Sequence, residues 1–280
     1  MSEMQFFDRA RLHRHVMYTR LVESVSSAGS RLIAILLAIL LVSAAQVQGA
    51  DAEDEAKASP STPLSLDDVV DNLVRRNAER TRNLLHSEAT RVYHLTYRGF
   101  PSNREAEMTV EAVYDSPSSK EFKVLSQSGS KIIIDRVFGK LLEAEKEATR
   151  PEMASQTLLN RDNYKFELIA HDAAAGQYEL QVTPKHKNKY VYRGKIWVDA
   201  TDFAVTRIDA EPAQNPSLWT RKSEIHHEYQ KIHETWVPKR NESISYIRLG
   251  GRATLTIQYK NYHVVEARPD TTAMSPSAAD

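Results

Sequence analysis

The sequence predicts a mainly β, α+β fold. The expected architecture is a curled antiparallel sheet of about 10–11 strands, an unclosed half-barrel capped by two or three helices. Three observations predict it. From Thr90 onward apolar residues recur at every second position, the period of a half-buried strand. Gly, Pro and Ser clusters interrupt that alternation at short intervals, as antiparallel hairpins require. Helical spacing is confined to short stretches, so only two or three helices are available to cover the apolar side. So many strands do not stay flat, which curls the sheet into an incomplete barrel with helices across its mouth.

Taken in order, the chain opens with a targeting pattern. Arg31 precedes the uncharged run Leu32–Val42, then come Ser43-Ala44-Ala45, Val47-Gln48-Gly49 and the acidic stretch Asp51–Glu55. A basic flank, a short apolar run and small residues describe a secretory signal peptide over residues 1–49. The rival reading is an N-terminal anchor held in the inner membrane by residues 31–49, although a spanning helix wants about 20 apolar residues. The flank is long and basic (Arg9, Arg11, Arg14, Arg20), and Met17 is an alternative start. Residues 50–64 read as a flexible acidic linker, and residues 269–280 as a disordered tail.

Ser65 reads as an N-cap with Asp67 and Asp68 in the first turn. Leu66, Val69, Val70, Leu73 and Val74 follow at helical spacing, with Leu84 and Leu85 extending the stripe. Arg75, Arg76, Glu79, Arg80 and Arg82 form the opposite, solvated face. Alternating strands follow around Tyr93-Leu95-Tyr97, Met108-Val110-Ala112-Tyr114 and Phe122–Ser126. A further strand is expected over Lys131–Phe138, joined across a Ser128-Gly129-Ser130 turn. Leu141–Thr149, stopped by Pro151, reads as a short helix, and Glu152–Leu159 as a helix or loop. Strands resume at Tyr164-Phe166-Leu168, Tyr178-Leu180-Val182, Ile196-Val198 and Leu255-Ile257-Tyr259.

Composition excludes several classes. With no cysteine, a thiol-acylated lipoprotein, disulfides and thiolate metal sites are ruled out, so an ordinary core must hold the exported domain together. Export without cysteine points to a bacterial envelope and a periplasmic location. The 37 Lys+Arg against 37 Asp+Glu leave no basic excess for a nucleic-acid partner.

The segment Lys195-Ile196-Trp197-Val198-Asp199-Ala200-Thr201-Asp202-Phe203-Ala204-Val205-Thr206-Arg207-Ile208 resembles the strand-turn-strand hairpin of the periplasmic lipoprotein-carrier superfamily. That superfamily includes the outer-membrane lipoprotein-sorting (LolA-like) carriers and the N-terminal domains of envelope stress regulators. Tyr190–Gly194 leads into the hairpin, and Trp236-Val237-Pro238 and Leu255–Tyr259 look like late strands of the same fold. The resemblance implies a half-barrel domain over residues 65–268, with helices capping an apolar cavity that takes acyl chains. The Arg/His-rich segment 219–240 departs from the best-known carriers, and no residue matches their cavity arginine by motif.

Catalytic patterns are weak. His226 and His227 are adjacent on a strand and point to opposite faces, so they do not chelate one ion together and read as solvated. Glu111, Asp115, Asp135, Asp199 and Asp202 fall at strand edges and turns, where carboxylates cap and solvate. No nucleophile elbow or phosphate loop is present, and Gln127-Ser128-Gly129-Ser130-Lys131 reads as a turn. No catalytic residue, metal or cofactor is therefore expected.

Tyr93, Leu95, Tyr97, Met108, Val110, Phe122, Val124, Ile134, Phe166, Leu168, Leu180, Ile196 and Val198 form the alternating apolar set. These are the candidate cavity wall, although filled core obeys the same alternation. Trp197 is out of phase with them. Lys185, Lys187, Lys189 and Arg193 flank Tyr190 and Tyr192 as a basic edge, either solvated or a docking patch. The expected function is binding of a lipid or acylated ligand, lipoprotein included, by an exported carrier or sensor without catalysis. The alternative is a regulatory protein–protein interaction module with a filled core and an envelope membrane-protein partner.

Overall fold

A computed structural model describes residues 63–267, apart from 118, 150–154, 188–189, 216–219 and 249. The leader, most of the linker, the tail, Trp219 and Lys189 lie outside the described residues.

Helix α1 spans Leu66–Asn83. It begins where expected: the Ser65 hydroxyl accepts from the Asp68 amide, and Asp67 and Asp68 sit in the positive first turn. Its stripe buries Val69, Val70 and Leu73 completely. Two expectations change here. The helix stops at Asn83, and Leu84 and Leu85 open strand β1 (Leu84–Gly99). Arg80 is fully buried instead of solvated, because it lies seven residues, two helical turns, from Leu73.

Strands β2 (Arg104–Asp115) and β3 (Ser119–Gly129) complete a first meander. The expected strand over Lys131–Phe138 is helical instead. Helix α2 (Lys131–Ile133) passes through a π turn (Ile134–Phe138) into α3 (Gly139–Ala148). The reason is packing: Ile133, Val137, Phe138 and Leu141 recur at helical spacing and are all buried. Ser128-Gly129-Ser130 is thus a strand-to-helix junction. Gly129 takes φ +93, and a Cβ there would lie 2.4 Å from the Glu105 carbonyl oxygen. The short helix expected over Leu141–Thr149 matches α3.

The second meander runs β4 (Tyr164–Asp172), β5 (Gln177–Pro184), β6 (Tyr192–Asp199), β7 (Val205–Pro212), β8 (Thr220–Ile232), β9 (Thr235–Ile247) and β10 (Gly251–Glu266). β10 pairs with β1, so the ten-stranded antiparallel sheet has the order β3-β2-β1-β10-β9-β8-β7-β6-β5-β4. The sheet is unclosed, with β3 and β4 as its free edges, and the segment carrying α2 and α3 connects them. Each edge strand carries one bulged residue, Leu125 on β3 and Ile169 on β4. Such bulges interrupt pairing with further strands.

Two apolar clusters lie on the inner face. The first packs α2, the π turn and α3 against β1, β2 and β10. The second packs α1 against β4–β8. β9, between them, contributes only half-buried Ile247, packed against the first.

Candidate functional site

The candidate site is this inner face, and the alternation of each strand decides what points into it. Tyr93, Leu95, Tyr97, Met108 and Val110 are buried beneath α2 and α3, with half-buried Phe122 beside them. Phe166, Leu180, Ile196 and Val198 are buried beneath α1. Ten of the thirteen expected residues therefore form two separately roofed groups instead of one wall. Ile134 belongs to the roof, since its segment is helical. Val124 and Leu168, on the free edges, are 47% and 37% exposed. With Leu125 and Ile169 they leave an apolar rim on both sides of the opening.

Charges enter the first half. Arg91 shares the inner phase of Tyr93 and Leu95, Lys120 that of Phe122, and Glu145 follows Leu141 by one turn of α3. All three converge. Arg91 Nη1 and Lys120 Nζ donate to the same Glu145 oxygen at 2.6 and 2.5 Å. Their side chains are only 12%, 9% and 2% exposed. The Arg91 guanidinium lies 5.0 Å from the Tyr259 ring centre and 5.5 Å from that of Phe122. Burial pushes the Glu145 carboxyl upward, but the two cations overcome it and hold the group at about 2. Burial lowers the Lys120 ammonium despite Glu145. The cluster ties α3 to β1 and to edge strand β3.

The centre of the sheet is polar. Across β8 and β9, Ser223 pairs with Ser245, Ile225 with Ser243, and His227 with Asn241. The two serine hydroxyls lie 2.8 Å apart, and Asn241 donates to the Tyr259 hydroxyl at 2.9 Å. His227 is buried with neither ring nitrogen hydrogen-bonded among the described residues, and burial, aided by the neighbouring His226, lowers it to about 3. The expectation of a solvated pair thus holds for His226, which faces Asp209 at 2.9 Å, and fails for His227. His227 shares the inner phase of Ile225, so the closed core takes it in.

A further buried cation, Arg80, fastens α1. It donates to the Asp202 and Phe203 carbonyl oxygens at 2.8 and 3.0 Å and to Asn77 Oδ1. The Asp202 carboxylate accepts from the Trp236 indole and pairs with Lys231, and these two residues face each other across the β8–β9 hairpin. Asp199 caps its own turn by accepting from the Thr201 and Asp202 amides, the role expected of it. Trp197, on the outer face, is covered by the Arg207 guanidinium 4.4 Å above its ring. Among the described residues no group of three or more His, Asp or Glu side chains is arranged to hold a metal. No described helix is long and apolar enough to cross a membrane.

No protein-family model matches the chain, and no curated protein matches it. Solved structures do. A LolA superfamily protein from Nitrosomonas europaea is 9% identical, with 76% of this chain and 99% of that one covered at a TM-score of 0.31. A DUF1329 family protein from Desulfovibrio piger is 14% identical, with 75% and 95% covered at 0.35. An outer membrane lipoprotein-sorting protein domain from Vibrio parahaemolyticus, described as putative, is 9% identical, with 69% and 88% covered at 0.30.

Proposed function

We propose that the chain is an exported periplasmic protein that holds a lipid or acylated ligand, lipoprotein included, against the inner face of the half-barrel, as carrier or sensor and without catalysis. The observation that carries this reading is the division of an apolar inner face into two halves, each roofed by its own helical element, on a sheet that does not close.

Magnitudes favour exchange of roof for ligand. Ile133, Val137, Phe138 and Leu141 of the α2–α3 roof are each worth about 1.5–3 kcal/mol of burial, roughly 6–12 kcal/mol together. An acyl chain of about 14 CH₂ groups, at about 0.8 kcal/mol each, is worth about 11 kcal/mol. The ligand can therefore take the roof's place, and the roof can later expel it. The apolar rim on β3 and β4 gives the chain a route from a membrane or partner to the interior.

The test is chemical. Protein purified from a bacterial host, extracted and analysed by mass spectrometry, should release stoichiometric lipid, and delipidated protein should bind a fluorescent fatty-acid probe. Protein that carries no lipid and binds no probe overturns the proposal.

A further inference from the structure

The buried cluster beneath α3 is unbalanced. Arg91 and Lys120 carry two positive charges, and among the described residues Glu145 is the one carboxylate that pairs with them. The carboxylate acting most strongly on Arg91 is Glu145, with the phenols of Tyr93 and Tyr259 also nearby. Lys146, the other cation near Phe122, adds positive charge to this side. Buried ions are costly unless paired and hydrogen-bonded. The rings of Phe122 and Tyr259 offset part of this cost but supply no counter-charge. Hydrogen-bonding capacity is unbalanced too: Arg91 Nε is buried with no hydrogen bond among the described residues, and the Tyr93 hydroxyl, flanked by Arg91 and Glu145, makes none of good geometry. One unused donor, one poorly used hydroxyl and one surplus positive charge thus lie at the margin of the first apolar half. Lys120 stands on edge strand β3, beyond which no strand lies.

We propose that this cluster is a headgroup site, in which Arg91, Lys120 and Tyr93 bind the singly charged oxyanion of an amphiphile whose acyl chain lies beneath α2 and α3. A carboxylate or a phosphodiester meets the requirement equally, since each brings one negative charge and at least two acceptor oxygens. Sharing Arg91 and Lys120 with the ligand weakens their hold on Glu145, so headgroup binding loosens α3 as the acyl chain displaces it. The inference rests on the lipid-binding reading above and assigns it a ligand class.

The experiment compares cis-parinaric acid with its methyl ester by fluorescence titration of the full, delipidated chain near pH 7.5. Charge-assisted hydrogen bonds make the acid bind at least about tenfold more tightly than the ester. Lys120→Met leaves a balanced Arg91–Glu145 pair and should abolish that preference. Glu145→Gln leaves two unpaired cations and should enlarge it. The two variants move the ratio in opposite directions, which a general loss of folding cannot do. Displacement of the acid by oleate or by dioleoyl phosphatidylglycerol then identifies the source of the oxyanion, and each supports the site. Equal affinity of wild-type protein for acid and ester, or an unchanged ratio in Lys120→Met, overturns the headgroup site while leaving lipid binding intact. Failure to bind either probe overturns both.

Discussion

Replacing Glu145 by Gln keeps the shape of the α3 side chain and removes its charge. Two buried cations then face each other without an anion, on the strands that α3 covers. Removing one partner of a buried pair costs about 3–5 kcal/mol, because the remaining charge stays desolvated. The loss should fall on α3, since Glu145 is its charged tether to β1 and β3. Hydrogen exchange of α3 amides should accelerate about 100-fold or more, at about 1.4 kcal/mol per factor of ten. Amides of β10 and β1 should change less. The penalty also has a pH signature. Burial has already lowered the Lys120 ammonium, so in the variant the folded state sheds that proton before the unfolded state does. Above that point the unfolded chain binds more protons, so the variant regains stability as pH rises. In the wild type Glu145 opposes that shift, so the same recovery should be smaller. A destabilisation below about 1 kcal/mol with unchanged α3 exchange would refute the tethering role.

Three further outcomes follow from the same geometry. His227→Leu should flatten the acid dependence of stability. With the buried ring at about 3 against about 6.5 when unfolded, wild type loses about 2 kcal/mol between pH 8 and pH 5 that the variant keeps, readable by urea unfolding at both pH values. Arg80→Met should cost about 2–4 kcal/mol and free α1, because the Asp202 and Phe203 carbonyls lose their donor, while an exposed Arg75→Met should cost under about 0.5 kcal/mol. Gly129→Ala should lower stability by at least about 1–2 kcal/mol through its positive φ and the nearby Glu105 carbonyl, and thermal unfolding measures it.

Much of this fold can be read from periodicity, and the exceptions have physical causes. Strands such as β5 and β6 bury Tyr178, Leu180, Val182, Ile196 and Val198 at strict alternation, and the packed inner face keeps that register. The Lys131–Phe138 segment misleads because three consecutive isoleucines favour a strand locally. The longer spacing from Ile133 through Phe138 to Leu141 decides for a helix once that face has a sheet to cover. Arg80 was legible on the Leu73 face of α1, where an isolated helix would have exposed it. Arg91, Lys120 and Glu145 each break the apolar phase of their own element, which marks each one singly. That the three meet depends on β3 lying two strands from β1 beneath α3, and spacing along the chain carries no trace of that order.

The central claim is that the inner face exchanges its helical roof for an acyl chain. The most direct measurement is hydrogen exchange of α2 and α3 with and without bound fatty acid, on protein first shown by mass spectrometry to be lipid-free. Saturating ligand should deprotect the Ile133–Leu141 amides while leaving β1, β2 and β10 protected. Unchanged or increased protection of that segment with ligand bound would contradict the account.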